Sequence, residues 1–188
     1  MGAAVARQPE SYTMDDIYNL PDGQRAELID GELYMMASPS TRHQRIVMEL
    51  SYRIRDYIGD KKGDCEVFPA PFAVFLHADD SLYLEPDISV ICNKDKLTDE
   101  GCNGAPDWII EVVSPSSRSM DYNKKLFKYH ATGVREYWIV DPDKKLVLVY
   151  TLVDGQYYVP EVYTAKDSVP VGVLEDCAVD LTAVFPEE

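Results

Sequence analysis

At 188 residues and 46% hydrophobic, the chain can bury one sizeable core. No apolar run approaches the ~20 residues of a membrane span, and MGAAVARQPESYT lacks an apolar signal-peptide core. The expectation is a cytoplasmic protein with residues 1–12 as a disordered lead and residues 13–188 as one domain. The net charge of -15 argues against nucleic acid held over the whole surface, because neutralising phosphates supplies most non-specific affinity.

In chain order, Thr13 is placed to N-cap a short helix with Asp15 and Asp16 in its first turn, ending before Pro21. Arg25 to Ile29 and Glu32 to Met36 alternate like paired strands, and Asp30-Gly31 between them is the strongest short hairpin signal. Ile46, Val47, Leu50, Ile54, Tyr57 and Ile58 recur with helical period, so Ser40 to Ile58 reads as a helix that packs on the sheet, with His43 at its start. Cys65 to Leu76 supplies one or two strands broken by Pro69 and Pro71. In LEPDISVIC, Asp87 begins an apolar strand directly after Pro86, and Asn93 to Gly104 is a polar loop with one helical turn. Cys65, Cys92, Cys102 and Cys177 have no paired metal-ligand spacing and read as structural thiols of a reducing compartment.

Trp108 to Val113 is apolar on both alternating faces, as in a strand buried at the middle of a sheet, except at Glu111. An unpaired buried carboxylate costs several kcal/mol, so such a residue is paired, protonated or bound to a metal. Ser114 to Ser117 ends the strand and offers caps for a helix from about Ser119 to Thr132, stopped by Gly133. On that helix Met120, Tyr122, Leu126, Tyr129 and others make a wide apolar arc with Lys124 and Lys125 at its opposite borders. Lys125 sits one turn after Asp121 and beside Tyr129; from the residues alone it either leans inward or snorkels to solvent. Val134 to Val140 is a further strand, turned at Asp141-Pro142-Asp143 into Leu146 to Leu152, and a turn at Asp154-Gly155 makes a hairpin beyond it.

The string EVVSPSSRSMDYNKKLFKYHATGVREYWIVDP, with RAELIDGELYMMASPSTRHQRIVMEL and PDISVI before it, resembles the Uma2 family of the PD-(D/E)-x-K nuclease superfamily, over roughly Ala26 to Tyr150. The resemblance implies an α/β fold, a restriction-endonuclease-like central mixed β-sheet flanked by helices, with β-hairpin extensions. Pro86-Asp87 matches the PD half of the motif and Glu111 the acidic half; a second pair, Pro106-Asp107, is the less favoured match. The superfamily lysine belongs two residues after the acid, where this chain has Val113, and the family spacing transfers it to Lys125, with Lys124 as the fallback. The same pattern makes Glu27 and His43 further site candidates.

Hard oxygen ligands from Asp87 and Glu111 suit Mg2+ or Mn2+, and the implied reaction is hydrolysis of DNA phosphodiester bonds by an endonuclease. The alternative is a catalytically inactive module that binds or regulates through the same fold, working as a homodimer. Two stretches run against the overall acidity. Thr41 to Lys62 has six basic residues against three acidic, and Pro115 to Tyr150 has seven against four; both flank the expected site, where a phosphate backbone would lie.

Overall fold

The computed structural model describes residues 11–77 and 82–185; residues 1–10, most of the expected lead, lie outside them, as do 78–81 and 186–188. The elements are α1 (Met14–Tyr18), β1 (Ala26–Ile29), β2 (Glu32–Met35), α2 (Thr41–Lys61), β3 (Glu66–Pro69), β4 (Val74–Phe75), β5 (Leu82–Leu84), β6 (Ile88–Ile91), β7 (Cys102–Asn103) and β8 (Trp108–Val112). There follow a π-helical segment (Met120–Lys125), α3 (Leu126–Thr132), β9 (Glu136–Asp141), β10 (Leu146–Val153), β11 (Gln156–Tyr157), β12 (Glu161–Thr164), β13 (Ser168–Pro170), β14 (Ala178–Asp180) and α4 (Leu181–Val184).

The main sheet has the order β11-β10-β9-β8-β6-β3, with β12 also paired to β10. It is mixed: β8 and β9 run parallel, and the neighbouring pairs β6-β8 and β9-β10 antiparallel. A second sheet has the order β2-β1-β5-β4-β7. Its leading hairpin turns at Asp30 and Gly31, both with positive φ (52° and 75°), which is the turn that Asp-Gly favours.

Alternation along β8 sorts the core. Trp108, Ile110 and Val112 point to one face, where Ile46, Val47, Leu50, Ile54 and Ile58 of α2 cover them; Trp108 meets Trp138 edge-on at 4.7 Å. Fully burying each such aliphatic side chain contributes about 1.5–3 kcal/mol. Ile109 and Val113 point to the other face, against Ile29, Val74 and Leu84 of the second sheet and Tyr129 of α3. Glu111 belongs to this second face. The outer side of the second sheet is closed by α1, whose Met14 packs with Leu28, Phe75 and Tyr83.

The C-terminal segment packs into the core under α2 through Val169, Val171, Leu174, Val179 and Leu181, and one buried acid fastens it further. Glu136, fully buried, accepts the Trp138 indole N–H at 2.6 Å and the Val173 amide at 2.9 Å. Burial raises its pKa above the usual range, an effect these hydrogen bonds oppose. Tyr12 is already tied in, its amide donating to the Gly31 carbonyl at 2.9 Å.

Two expectations need correction. Cys65 and Cys92 are not free thiols: they form a disulfide, leaving Cys102 and Cys177 as buried thiols. The β3-β6 ladder pairs Glu66 with Ile91, and the next step outward brings Cys65 opposite Cys92; spacing in sequence could not reveal a pairing set by strand register. The helix expected from Ser119 to Thr132 is likewise not uniform, because its first half is π-helical. The Asp121 carbonyl takes the Tyr137 hydroxyl at 3.0 Å, which anchors the widened stretch to β9. Among the described residues, no helix is long and apolar enough to cross a membrane.

Candidate functional site

The β6-β8 register pairs Ile88 with Ile110, and one step further places Asp87 opposite Glu111. The contact is reciprocal. The Asp87 amide lies 3.4 Å from Glu111 Oε2, and the Val112 amide donates to Asp87 Oδ2 at 2.8 Å. Neighbouring backbones thus hold both carboxylates at one end of the two strands, Glu111 meeting Tyr129 of α3 and Asp87 meeting His43 of α2. The competing Asp107 instead caps a loop: it accepts the Cys92 amide at 2.8 Å and pairs with Arg135 at 3.1 Å.

Lys125 reaches the carboxylates from the helix. Its ammonium lies 2.9 Å from Glu27 Oε1, 3.0 Å from Glu111 Oε1 and 3.7 Å from Asp121 Oδ1, with the side chain only 6% exposed. Lys124, across the helix, is half exposed and binds Glu32 and Tyr34 on β2. The β1 strand delivers Glu27, whose Oε1 also accepts the Glu85 amide at 3.1 Å. Glu85 in turn is held by Arg25 at 2.9 Å and the Tyr83 hydroxyl at 2.7 Å. His43, in the first turn of α2 behind the Ser40 cap, places Nε2 3.1 Å from Asp87 Oδ2. Its buried Nδ1 has no partner among the described residues.

All five candidate residues therefore meet at one place. Asp121, one turn before Lys125, and Tyr129, one turn after it, join them as further residues of the site. The Tyr129 hydroxyl donates to Glu111 Oε1 at 2.7 Å. Asp121, 2% exposed, has an Oδ1 without a hydrogen bond among the described residues.

The electrostatics follow from crowding. Glu27, Glu111 and Asp121 surround one ammonium, and Asp87 adds a fourth carboxylate. Burial raises the pKa of Glu111 well above the carboxylate range, with the Lys125 charge opposing and the neighbouring acids reinforcing; Glu27 and Asp121 are raised by burial in the same way. Burial also disfavours the Lys125 ammonium, but the attraction of Glu111, Glu27 and Asp121 outweighs it, so its pKa is raised well above normal. For His43, burial lowers the pKa; the hydrogen bond and charge of Asp87 more than offset this, and the imidazolium is favoured. With Lys125 and His43 charged, ionising all four carboxyl groups would leave the cluster deficient in positive charge, which is the state that the raised pKa values of Glu111, Glu27 and Asp121 oppose.

A divalent ion fits that deficiency. Asp87 Oδ1 accepts no hydrogen bond among the described residues, and Glu111 Oε2 only the long one from Asp87. Among the described residues no three His, Cys, Asp or Glu form a ready-made ligand set. Two carboxylates with open positions for water suit Mg2+, which keeps several waters and dehydrates reluctantly, better than a fully caged ion.

The cluster forms the floor of a cleft of about 780 Å³, walled by the β2-α2 connection, the Ser114 to Ser117 loop and the β9-β10 turn. Ion pairs cover most of the basic side chains between Pro115 and Tyr150 but only two of the six between Thr41 and Lys62, where Arg45, Arg55, Lys61 and Lys62 form none among the described residues. Arg42 pairs with Asp143, Arg53 with Glu49, Arg118 with Asp141, Lys128 with Asp30 and Arg135 with Asp107.

A mixed sheet presenting two carboxylates from adjacent strands, with a lysine brought beside them, defines a nuclease-like protein of the restriction-endonuclease fold. The chain belongs to the Uma2 family, whose model, described as "Putative restriction endonuclease", matches residues 12–182. It is 31% identical over 121 residues to an uncharacterised protein of Synechocystis sp., covering 63% of this chain and 67% of that one. A second uncharacterised Synechocystis protein is 26% identical over 145 residues, covering 77% and 75%. In three dimensions the chain is similar to a crystal structure from Anabaena variabilis described as "a putative nuclease belonging to DUF820". The TM-score is 0.74 over 92% of this chain and 97% of that one; at 23% identity this likeness speaks for the fold.

Proposed function

We propose that the chain is a divalent-metal-dependent endonuclease hydrolysing phosphodiester bonds in DNA, with Asp87 and Glu111 as metal ligands. The observation that carries this reading is the buried Lys125 ammonium clamped between Glu27 and Glu111 beside Asp87. Such a cluster has no structural necessity, because buried ion pairs are often no better than apolar residues of the same volume. Mg2+ or Mn2+ held there would lower the pKa of a bound water and offset charge on the phosphoryl group. Lys125 would orient the attacking water and offset the charge that develops on the phosphoryl oxygens. Glu27 holds Lys125 in place, Tyr129 fixes the rotamer of Glu111, and His43 fixes that of Asp87.

A second reading keeps the fold as a non-catalytic module for binding or regulation, active as a homodimer. It is favoured by the pairing of most basic side chains around the cleft and by Val113 in the usual lysine position. The test is an assay of the full chain and of Glu111→Gln on single- and double-stranded DNA with Mg2+, with Mn2+ and with chelator. Metal-dependent cleavage lost in the variant supports the endonuclease; cleavage that survives both chelator and substitution is a contaminant and favours the module.

A further inference from the structure

The rim of the cleft carries a charge arrangement that the proposed reaction does not use. Arg42, in the first turn of α2, and Arg118, in the loop after β8, both reach Asp143 in the β9-β10 turn. Arg42 Nη2 donates to Oδ1, and Arg118 Nη2 lies 3.4 Å from Oδ2. The side chains of Arg42, Arg118 and Asp143 are 54%, 32% and 50% exposed, and Arg42 and Asp143 line the cleft. Pairs this wet typically contribute roughly 0–1 kcal/mol, so stability gives little reason for two guanidinia to share one carboxylate.

Arg118 is aimed independently of Asp143. Buried Asp141 takes both of its terminal nitrogens, Nη2 at 3.2 Å, and is itself fixed by the Asp143 and Lys144 amides at 3.1 Å. His43, next to Arg42 in the same helical turn, contacts Asp87. Arg42 and Asp143 line the same cleft as Asp87 and Glu111, so whatever Arg42 holds shares that cleft with the carboxylate pair.

We propose that Arg42 and Arg118 form a phosphate-holding subsite at the rim, and that Asp143 occupies it in the free protein as a stand-in for phosphate oxygens. The guanidinium fork matches carboxylate and phosphate alike, so one anion can replace the other without rebuilding the site. The subsite takes a tetrahedral oxyanion. Resting on the nuclease reading, it takes a backbone phosphate flanking the scissile one, and Asp143 swings out as the strand enters. The contact is thus self-inhibitory: it masks the positive rim until a more highly charged ligand displaces it.

The test measures binding of a fluorescent single-stranded DNA oligonucleotide to the full chain in chelator, where no metal-dependent cleavage intervenes. Variants are Arg42→Ala, Asp143→Asn, the two combined, and Asp60→Asn as a charge control on an exposed residue of α2. Arg42→Ala should weaken binding and lower the slope of log affinity against log salt by about 1. Asp143→Asn should tighten binding by about tenfold, the scale of one charge-assisted hydrogen bond. That gain should vanish in the double variant and be absent in Asp60→Asn. A gain equal in Asp60→Asn, or one that survives without Arg42, overturns the subsite, as does a failure of both wild type and Asp143→Asn to bind the oligonucleotide when phosphate too gives no Arg42-dependent response. Inorganic phosphate is titrated separately by thermal shift; Arg42-dependent stabilisation by phosphate with no oligonucleotide binding overturns the strand assignment. Cleavage assays keep the two readings apart. Coupling of Arg42 and Asp143 without cleavage supports the subsite and sinks the nuclease, and cleavage without coupling does the reverse.

Discussion

Asp87 and Glu111 exchange backbone contacts across the β6-β8 ladder, the Asp87 amide 3.4 Å from Glu111 Oε2 and the Val112 amide 2.8 Å from Asp87 Oδ2. Strand register sets the two residues opposite each other, and contacts with Tyr129 and His43 fix their rotamers, the pre-organisation that a metal with strict geometry requires. In Glu111→Gln the amide oxygen still accepts from Tyr129 and Lys125, so unfolding by urea should change little. DNA cleavage should fall roughly 10²-fold or more, the scale of losing an electrostatic catalytic group.

Lys125→Met separates charge from volume. Removing the ammonium leaves Glu27, Glu111 and Asp121 buried with no cation, which should destabilise the fold by about 3–5 kcal/mol near neutral pH. The deficit should shrink toward about pH 5 as the carboxylates take up protons. Urea titrations at the two pH values measure it; an equal loss at both would mean that the lysine matters for packing alone.

Glu136 supplies a pH dependence far from the cleft. Its folded pKa lies above the ordinary 4.5, so between that value and the folded one the native state binds more protons than the unfolded chain. Stability from this residue is accordingly full below about 4.5 and declines as pH rises through the folded pKa. Glu136→Gln, despite losing one acceptor for the Trp138 or Val173 N–H, should flatten that decline in urea midpoints recorded across the acid range.

Reduction of Cys65–Cys92 opens a loop with a sequence separation of 27. By loop entropy this should cost about 3.5 kcal/mol of stability. The cleft should be unaffected, since β6 retains its ladder to β8. Comparing urea midpoints and cleavage rates with and without reductant tests both halves; a loss of cleavage under native conditions would tie the disulfide to the site.

Much of this could be read from residue pattern, where local rules and tertiary structure agree. Asp30-Gly31 and Asp154-Gly155 both turn with positive φ, as their chemistry demands. The one acid in the apolar run from Trp108 to Val113 is the one at the centre of the cluster. Lys125 was legible only through the family spacing, because helical periodicity left both lysines on borders of the apolar arc. What escaped is non-local. Strand β5 is three residues long and is defined by its partners β1 and β4. The inward turn of Asp121 depends on the π-helical stretch, and the pairing of basic side chains depends on acids remote in sequence, such as Asp30 for Lys128 and Asp143 for Arg42.

The π-helical stretch from Met120 to Lys125 has one more consequence. Its hydrogen bonds close over five residues where an α-helix closes over four, so the segment accommodates one residue more than a regular helix of the same rise. Deleting Asn123, exposed on the outside, would let the helix close as α while Lys125 and Tyr129 stayed seated on the sheet. The flanks would stay in phase, because the segment then spans the same rise with one residue fewer, and Asp121 would stand three residues before Lys125 in place of four, a spacing that still shares one helix face. The number of residues in this turn, as well as side-chain identity, thus sets how the third carboxylate meets the ammonium, and a single-codon deletion would change the Asp121–Lys125 spacing without changing any residue that touches the site.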